Sequence, residues 1–123
     1  MEVLVGEIVH GKGLGRTVGM PTANLQVMRG KLPEEGVYAT RVKIAGKTWD
    51  SITNIGRRPS VDDEKTITVE IFIFDFEQDI YGEIVELEIY KFLRGVKKFK
   101  DLQAVKEQVK KDLIEASEYF KMI

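Results

Sequence analysis

The segment Gly11-Lys12-Gly13-Leu14-Gly15-Arg16-Thr17-Val18-Gly19-Met20-Pro21-Thr22-Ala23-Asn24 holds the most distinctive chemistry in the chain. Four of the eleven glycines fall within it. Glycine lets the backbone come close to a ligand and point successive N–H groups at an anion. Lys12 and Arg16 add charge suited to phosphate oxygens. The segment is not a Walker A loop, whose Lys stands beside Ser or Thr at a helix start, and it lacks the spacing of a dinucleotide fingerprint. A flexible hairpin tip is the other reading of the same glycines.

Thr22 and Asn24 flank Ala23 just after Pro21. In an extended segment they point to the same side. A hydroxyl and an amide carbonyl are hard oxygen donors suited to Mg²⁺, which keeps several waters and takes one or two protein ligands. Local backbone satisfaction is the alternative for both residues. Glu70 is the third element. It sits mid-strand among Thr68, Phe72 and Phe74. On an interior face its carboxylate would be costly to bury unpartnered and could act as a general base. On a solvated face it is a surface charge. Arg94 could stack on a planar ligand or neutralise a nearby acidic block. His10, Trp49 and the Arg57-Arg58-Pro59 run read as structural, the last as a turn.

Alternation supplies the elements that would position these groups. Val3 to Val9, Val37 to Ile44, Lys47 to Ile55, Thr66 to Phe74 and Glu83 to Phe92 read as strands, with Ala45-Gly46 as a hairpin turn. In the clearest of them, Ile67, Val69, Ile71 and Ile73 oppose Thr68, Glu70, Phe72 and Phe74. Turn signals fall at Lys31 to Gly36, Arg57 to Lys65 and Asp75 to Gly82. After Phe99 the period changes. Leu102, Val105, Val109, Leu113, Ala116 and Phe120 form one stripe of an amphipathic helix with Asp101 as N-cap. Strands followed by a single helix predict a mainly β fold, an antiparallel sheet closed into a small barrel with the helix packed on it. One domain over residues 1–123 is expected, with the barrel at about 1–98 and the helix at about 101–121.

Composition narrows the function classes. With 19 basic and 20 acidic residues the formal net charge is -1, which argues against a nucleic-acid coat or a membrane-surface binder. No cysteine is present, so disulfides, thiolate metal sites and thiol catalysis are excluded. One histidine cannot build a His-based metal cluster. The chain lacks an apolar run long enough to span a membrane and starts without a signal-peptide pattern, so a cytoplasmic location is expected. Charge is nonetheless uneven. Thr66 to Tyr90 carries seven acids and no bases, and Lys91 to Lys100 carries five bases and no acids.

Taken together, these residues resemble the riboflavin kinase family, from about Val5 to about Tyr119. The most specific piece is Gly19-Met20-Pro21-Thr22-Ala23-Asn24. Leu32-Pro33, Gly36-Val37-Tyr38, Asn54-Ile55-Gly56-Arg57-Arg58-Pro59, Val69-Glu70, Asp75-Phe76, Asp79-Ile80-Tyr81-Gly82, Phe92-Leu93-Arg94, Lys98-Phe99 and Asp112 follow in the family's order. Ser60 stands where the family usually has Thr, and Gly95-Val96 where it often has an acid.

The resemblance implies a six-stranded antiparallel Greek-key barrel and ATP-dependent phosphorylation of the riboflavin 5′-hydroxyl to FMN, with Mg²⁺. It implies Glu70 as catalytic base and Thr22 and Asn24 as metal ligands. Gly11, Gly15, Arg16, Pro21 and Thr22 would lie at the ATP phosphates, and Asp75, Ile80 and Tyr81 near the adenosine. Asn24, Glu70, Arg94 and Phe99 would lie at the flavin. The expected partners are riboflavin, FMN, ATP and ADP, with no nucleic acid and no membrane. A monomer or a fragment of a larger bifunctional enzyme is expected, stopping at FMN. A non-catalytic flavin sensor and a single-stranded nucleic-acid barrel are the rival readings.

Overall fold

The structure is a computed structural model that describes residues 2–9, 22–59, 65–74, 76 and 79–123. Among these, six strands and one long helix follow in chain order: β1 (Glu2–Val9), β2 (Thr22–Arg29), β3 (Gly36–Ile44), β4 (Lys47–Pro59), β5 (Lys65–Ile73), β6 (Ile84–Arg94) and α1 (Leu102–Met122). Every strand pair is antiparallel, and the sheet closes in the order β1-β2-β5-β4-β3-β6. The meander β3-β4-β5 with β6 returned beside β3 is the Greek-key arrangement. Closure leaves no exposed sheet edge.

Period-two alternation gives the barrel two separate cores. Leu4 and Ile8, Ala23 and Leu25, Tyr38 and Val42, Val69 and Ile71, and Val85 and Leu87 point inward and fill the barrel. Their alternates on one side of the barrel point outward and are still buried. Val37, Ala39, Ile52 and Phe72 form a second core with Val109, Ala116 and Phe120 of α1. The helix therefore converts part of the outer wall into an interior. Inside the barrel three hydroxyls are fully buried, and Thr40 Oγ1 lies 2.7 Å from Ser51 Oγ and 2.8 Å from Thr53 Oγ1. This network satisfies groups that would otherwise be costly among aliphatic side chains.

The six-stranded antiparallel barrel with a C-terminal helix is as expected, although alternation alone singles out five of its strands and β2 is the sixth. One expectation is corrected. Arg57, Arg58 and Pro59 do not turn, because β4 continues to Pro59 with these residues opposite Ile67, Thr66 and Lys65. Pro59 closes that strand at its end, where a missing N–H is tolerated. The Ala45-Gly46 turn is as expected. Ile44 pairs with Lys47, and both turn residues have positive φ, 50° and 84°. That is a type I′ turn, which favours Asn-Gly. Ala45 is strained there, so Ala45→Asn should stabilise the domain by about 0.5–1 kcal/mol, read as a higher midpoint in urea.

Helix α1 is held at three places. Asp101 caps its start, accepting from the Ala104 N–H at 2.9 Å. Arg94 pairs with Asp112 at its middle. At its far end the Arg41 guanidinium stands 4.4 Å from the Phe120 ring centroid and 5.2 Å from that of Tyr90, and its Nε donates to Asp50 at 2.9 Å. Burial alone would lower the Arg41 pKa, but the hydrogen bonds to Asp50 and Tyr90 outweigh it and hold the group above its ordinary value. Removing the Asp101 cap by Asp101→Ala should cost about 1 kcal/mol.

Candidate active site

The first half of α1 does not lie flat on the barrel. Leu102, Val105 and Val109 roof a cavity of about 280 Å³ whose floor is Val37, Ile52, Asn54, Glu70 and Phe72. Arg94, Lys97, Phe99 and Asp112 complete its walls. The location resolves the ambiguity of the Glu70 face. Val69, Ile71 and Ile73 point into the barrel, and Glu70 and Phe72 point outward beneath the helix. Glu70 is thus neither in the barrel interior nor on a fully solvated surface. It is half-buried at the floor of a cleft.

Strand register places the polar groups in one row. On β5, Glu70 pairs with Asn24 of β2 on one side and with Asn54 of β4 on the other. Asn54 pairs with Val37 of β3, and Val37 pairs with Arg94 of β6. Directly opposite residues share a face with Cβ atoms about 5 Å apart. The row Asn24–Glu70–Asn54–Val37–Arg94 therefore runs across five strands of the outer wall. At about 4.8 Å per strand, Arg94 stands three steps, about 14 Å, from Glu70. Thr22 lies in the neighbouring row, opposite Phe72. Thr22, Asn24 and Glu70 thus converge on one patch.

Arg94 reaches its position through two constraints. Its Nε donates to Asp112 Oδ1 at 2.9 Å, its Nη2 donates to Asp112 Oδ2 at 2.8 Å, and its Nη1 donates to the Gly95 carbonyl at 3.1 Å. Asp112 is 2% exposed and also accepts from the Gln108 amide at 3.0 Å. The edge of the guanidinium is thereby spent on protein groups, and its plane is fixed. Phe99 lies beside it, 5.8 Å from ring centroid to guanidinium carbon. At this end of the cavity the structure presents flat faces, suited to stacking on a planar ring. Gly36 permits the close approach of β3 to this strand end, since a Cβ there would meet the Arg94 carbonyl at 2.8 Å.

Other expected residues lie elsewhere. Ile80 is buried and packs into the barrel core, Tyr81 is half-exposed, and neither lines the cavity. They sit at the barrel end beside β1, where the Gly82 N–H donates to the Ile8 carbonyl. Trp49 packs against Phe76 at 4.9 Å between centroids, as a core residue. Gly11, Gly15, Arg16, Pro21, Asp75 and His10 lie outside the described residues. Sequence reasoning gave no site role to Asn54, Asp112 or Lys97. Asp112 did carry a signal, because an acid stands within the apolar stripe of Val109 and Ala116.

Among the described residues no three His, Cys, Asp or Glu side chains cluster as a metal cage, and no helix is long and apolar enough to cross a membrane. Residues 3–120 match the riboflavin kinase family. A bifunctional riboflavin kinase/FMN adenylyltransferase of Haemophilus influenzae is 37% identical over 118 residues, covering 95% of this chain and 38% of that protein. The RNA-binding riboflavin kinase RibR of Bacillus subtilis is 37% identical over 123 residues, covering all of this chain and 53% of that one. Among solved structures, a chain described as a macrolide-efflux protein of Streptococcus pneumoniae superposes with a TM-score of 0.88 at 34% identity, over 94% of this chain and 38% of that one. A riboflavin kinase of Trypanosoma brucei shares the fold, with a TM-score of 0.65 at 23% identity over 98% of this chain and 80% of that one. The chain thus spans well under half the length of the bifunctional relative. With its closed barrel, its roofed cavity and a match over nearly every residue, the chain belongs to the riboflavin kinase family.

Proposed function

We propose that this domain transfers the γ-phosphoryl group of ATP to the 5′-hydroxyl of riboflavin, giving FMN and ADP. One observation carries the reading: Asn24 pairs directly with Glu70, Thr22 lies in the next row opposite Phe72, and Glu70 shares a cleft with Arg94 and Phe99. A phosphoryl acceptor with a flat ring and a terminal hydroxyl matches that length and polarity. Phosphoryl transfer depends mainly on positioning and charge stabilisation.

In this reading the Glu70 carboxylate accepts the proton of the 5′-hydroxyl as that oxygen forms its bond to the γ-phosphorus. The bond from the γ-phosphorus to the bridging oxygen breaks, and ADP leaves with the electron pair. Thr22 Oγ1 and Asn24 Oδ1 are neutral hard donors and fit magnesium, which needs only one or two protein ligands beside phosphate and water. Neither side chain hydrogen-bonds to a described residue, so both are available. Magnesium, when bound with ATP, offsets charge on the β- and γ-phosphates. Gly11, Gly15, Arg16 and Pro21 are assigned to the phosphates and Asp75, Ile80 and Tyr81 to the adenosine by family likeness alone. RNA binding, named for RibR, is a property of that protein.

The test is turnover. Incubation with riboflavin and MgATP should yield FMN and ADP in equal amounts by chromatography. Flavin that is bound but recovered unphosphorylated would contradict the proposal and favour a sensor.

A further inference from the structure

Asn54 occupies the middle of the cleft. It lies on the floor of the cavity, one strand from Glu70 and two strands from Arg94 in the same row. Its chain neighbours Thr53 and Ile55 point into the barrel and are buried, so alternation turns the Asn54 amide outward under the helix. The side chain is exposed and makes no hydrogen bond to any described residue. An asparagine is a poor strand residue on propensity. The next outward residue of β4, Ile52, is apolar and packed in the second core. A polar group with an unspent donor and an unspent acceptor has thus been placed where the fold gains nothing from it.

We propose that Asn54 reads the hydroxylated linker of the acceptor. The inference rests on the proposed reading that the reacting hydroxyl lies at Glu70 and the flat ring at Arg94 and Phe99. Any molecule bridging those two ends must pass over Asn54. A carboxamide donates through its N–H₂ and accepts through its oxygen. A chain hydroxyl also does both, so amide and polyol are matched. An apolar linker would leave the amide desolvated and unpaired, which the site would reject. Asn54 therefore selects for a polyol between ring and reacting hydroxyl, and Arg94 selects for the ring alone.

The experiment compares two ligands on two proteins by fluorescence titration. Riboflavin carries the ribityl chain. Lumiflavin carries the same ring with a methyl in its place. For Asn54→Ala, riboflavin binding should weaken roughly 5- to 50-fold through loss of one or two hydrogen bonds, while lumiflavin binding changes less than about twofold. Unchanged lumiflavin binding also shows that the cavity is intact. Asn54→Leu, of similar volume, should behave alike. Equal weakening of both ligands would overturn the inference, since Asn54 would then act on the ring or on the fold. Unchanged riboflavin binding with reduced turnover would also overturn it, since Asn54 would then serve Glu70. If the unaltered protein binds riboflavin no better than lumiflavin, the inference fails while phosphorylation can still be observed. If the unaltered protein binds both flavins but phosphorylates neither, the kinase reading fails instead.

Discussion

Replacing Glu70 with glutamine should lower kcat for riboflavin phosphorylation by ~10²- to 10⁴-fold, the usual contribution of a general base. Glutamine keeps the size and the hydrogen-bonding oxygen, but it cannot take the hydroxyl proton. Affinities for riboflavin and MgATP should stay within about threefold, because the lost interaction belongs to the transition state. Glu70 stands in the cleft floor between Asn24 and Asn54, so both flanking strands hold the backbone at this position in place. Steady-state kinetics with quench-flow checks the split between kcat and KM. A rise in KM with unchanged kcat would move Glu70 from chemistry to binding.

The second large effect lies at the helix. Asp112→Ala should destabilise the domain by about 3–5 kcal/mol, because it leaves Arg94 buried without its counter-ion. The pair is well shielded, with side chains 17% and 2% exposed for Arg94 and Asp112. The loss is large against the 5–15 kcal/mol that a typical domain has in total, so urea midpoints should fall steeply. The contrast is the Arg41–Asp50 pair, with side chains 28% and 42% exposed. Asp50→Asn should cost under about 1 kcal/mol, as exposed pairs do. Riboflavin affinity should fall with Asp112→Ala as well, since the guanidinium plane is no longer held beside Phe99.

Much of this architecture can be read from periodicity. The β5 alternation separates Ile71 from Glu70 and Phe72, and the α1 stripe from Val105 to Phe120 is the face that docks. Alternation divides the faces of a strand but does not say what covers each. The inward face of β5 is buried in the barrel and its outward face looks into the cleft roofed by the helix, so the environment of Glu70 depends on a tertiary contact. Asn54 was hidden for a related reason. Its significance comes from pairing with Glu70 and, through Val37, with Arg94, and register is set by the closed sheet and not by local sequence. Arg57 and Arg58 beside Pro59 look like a turn in isolation, and pairing with β5 keeps them extended.

The proposed acceptor site is one row of side chains across the outer wall, Asn24–Glu70–Asn54–Val37–Arg94. A crystal structure with riboflavin and MgADP should show the flavin ring beside Arg94 and Phe99 and the 5′-hydroxyl at roughly 2.6–3.2 Å from the Glu70 carboxylate, with the ribityl chain over Asn54. Flavin seated at the opposite wall of the barrel, or with its ring at Glu70 and its hydroxyl turned to solvent, would contradict it.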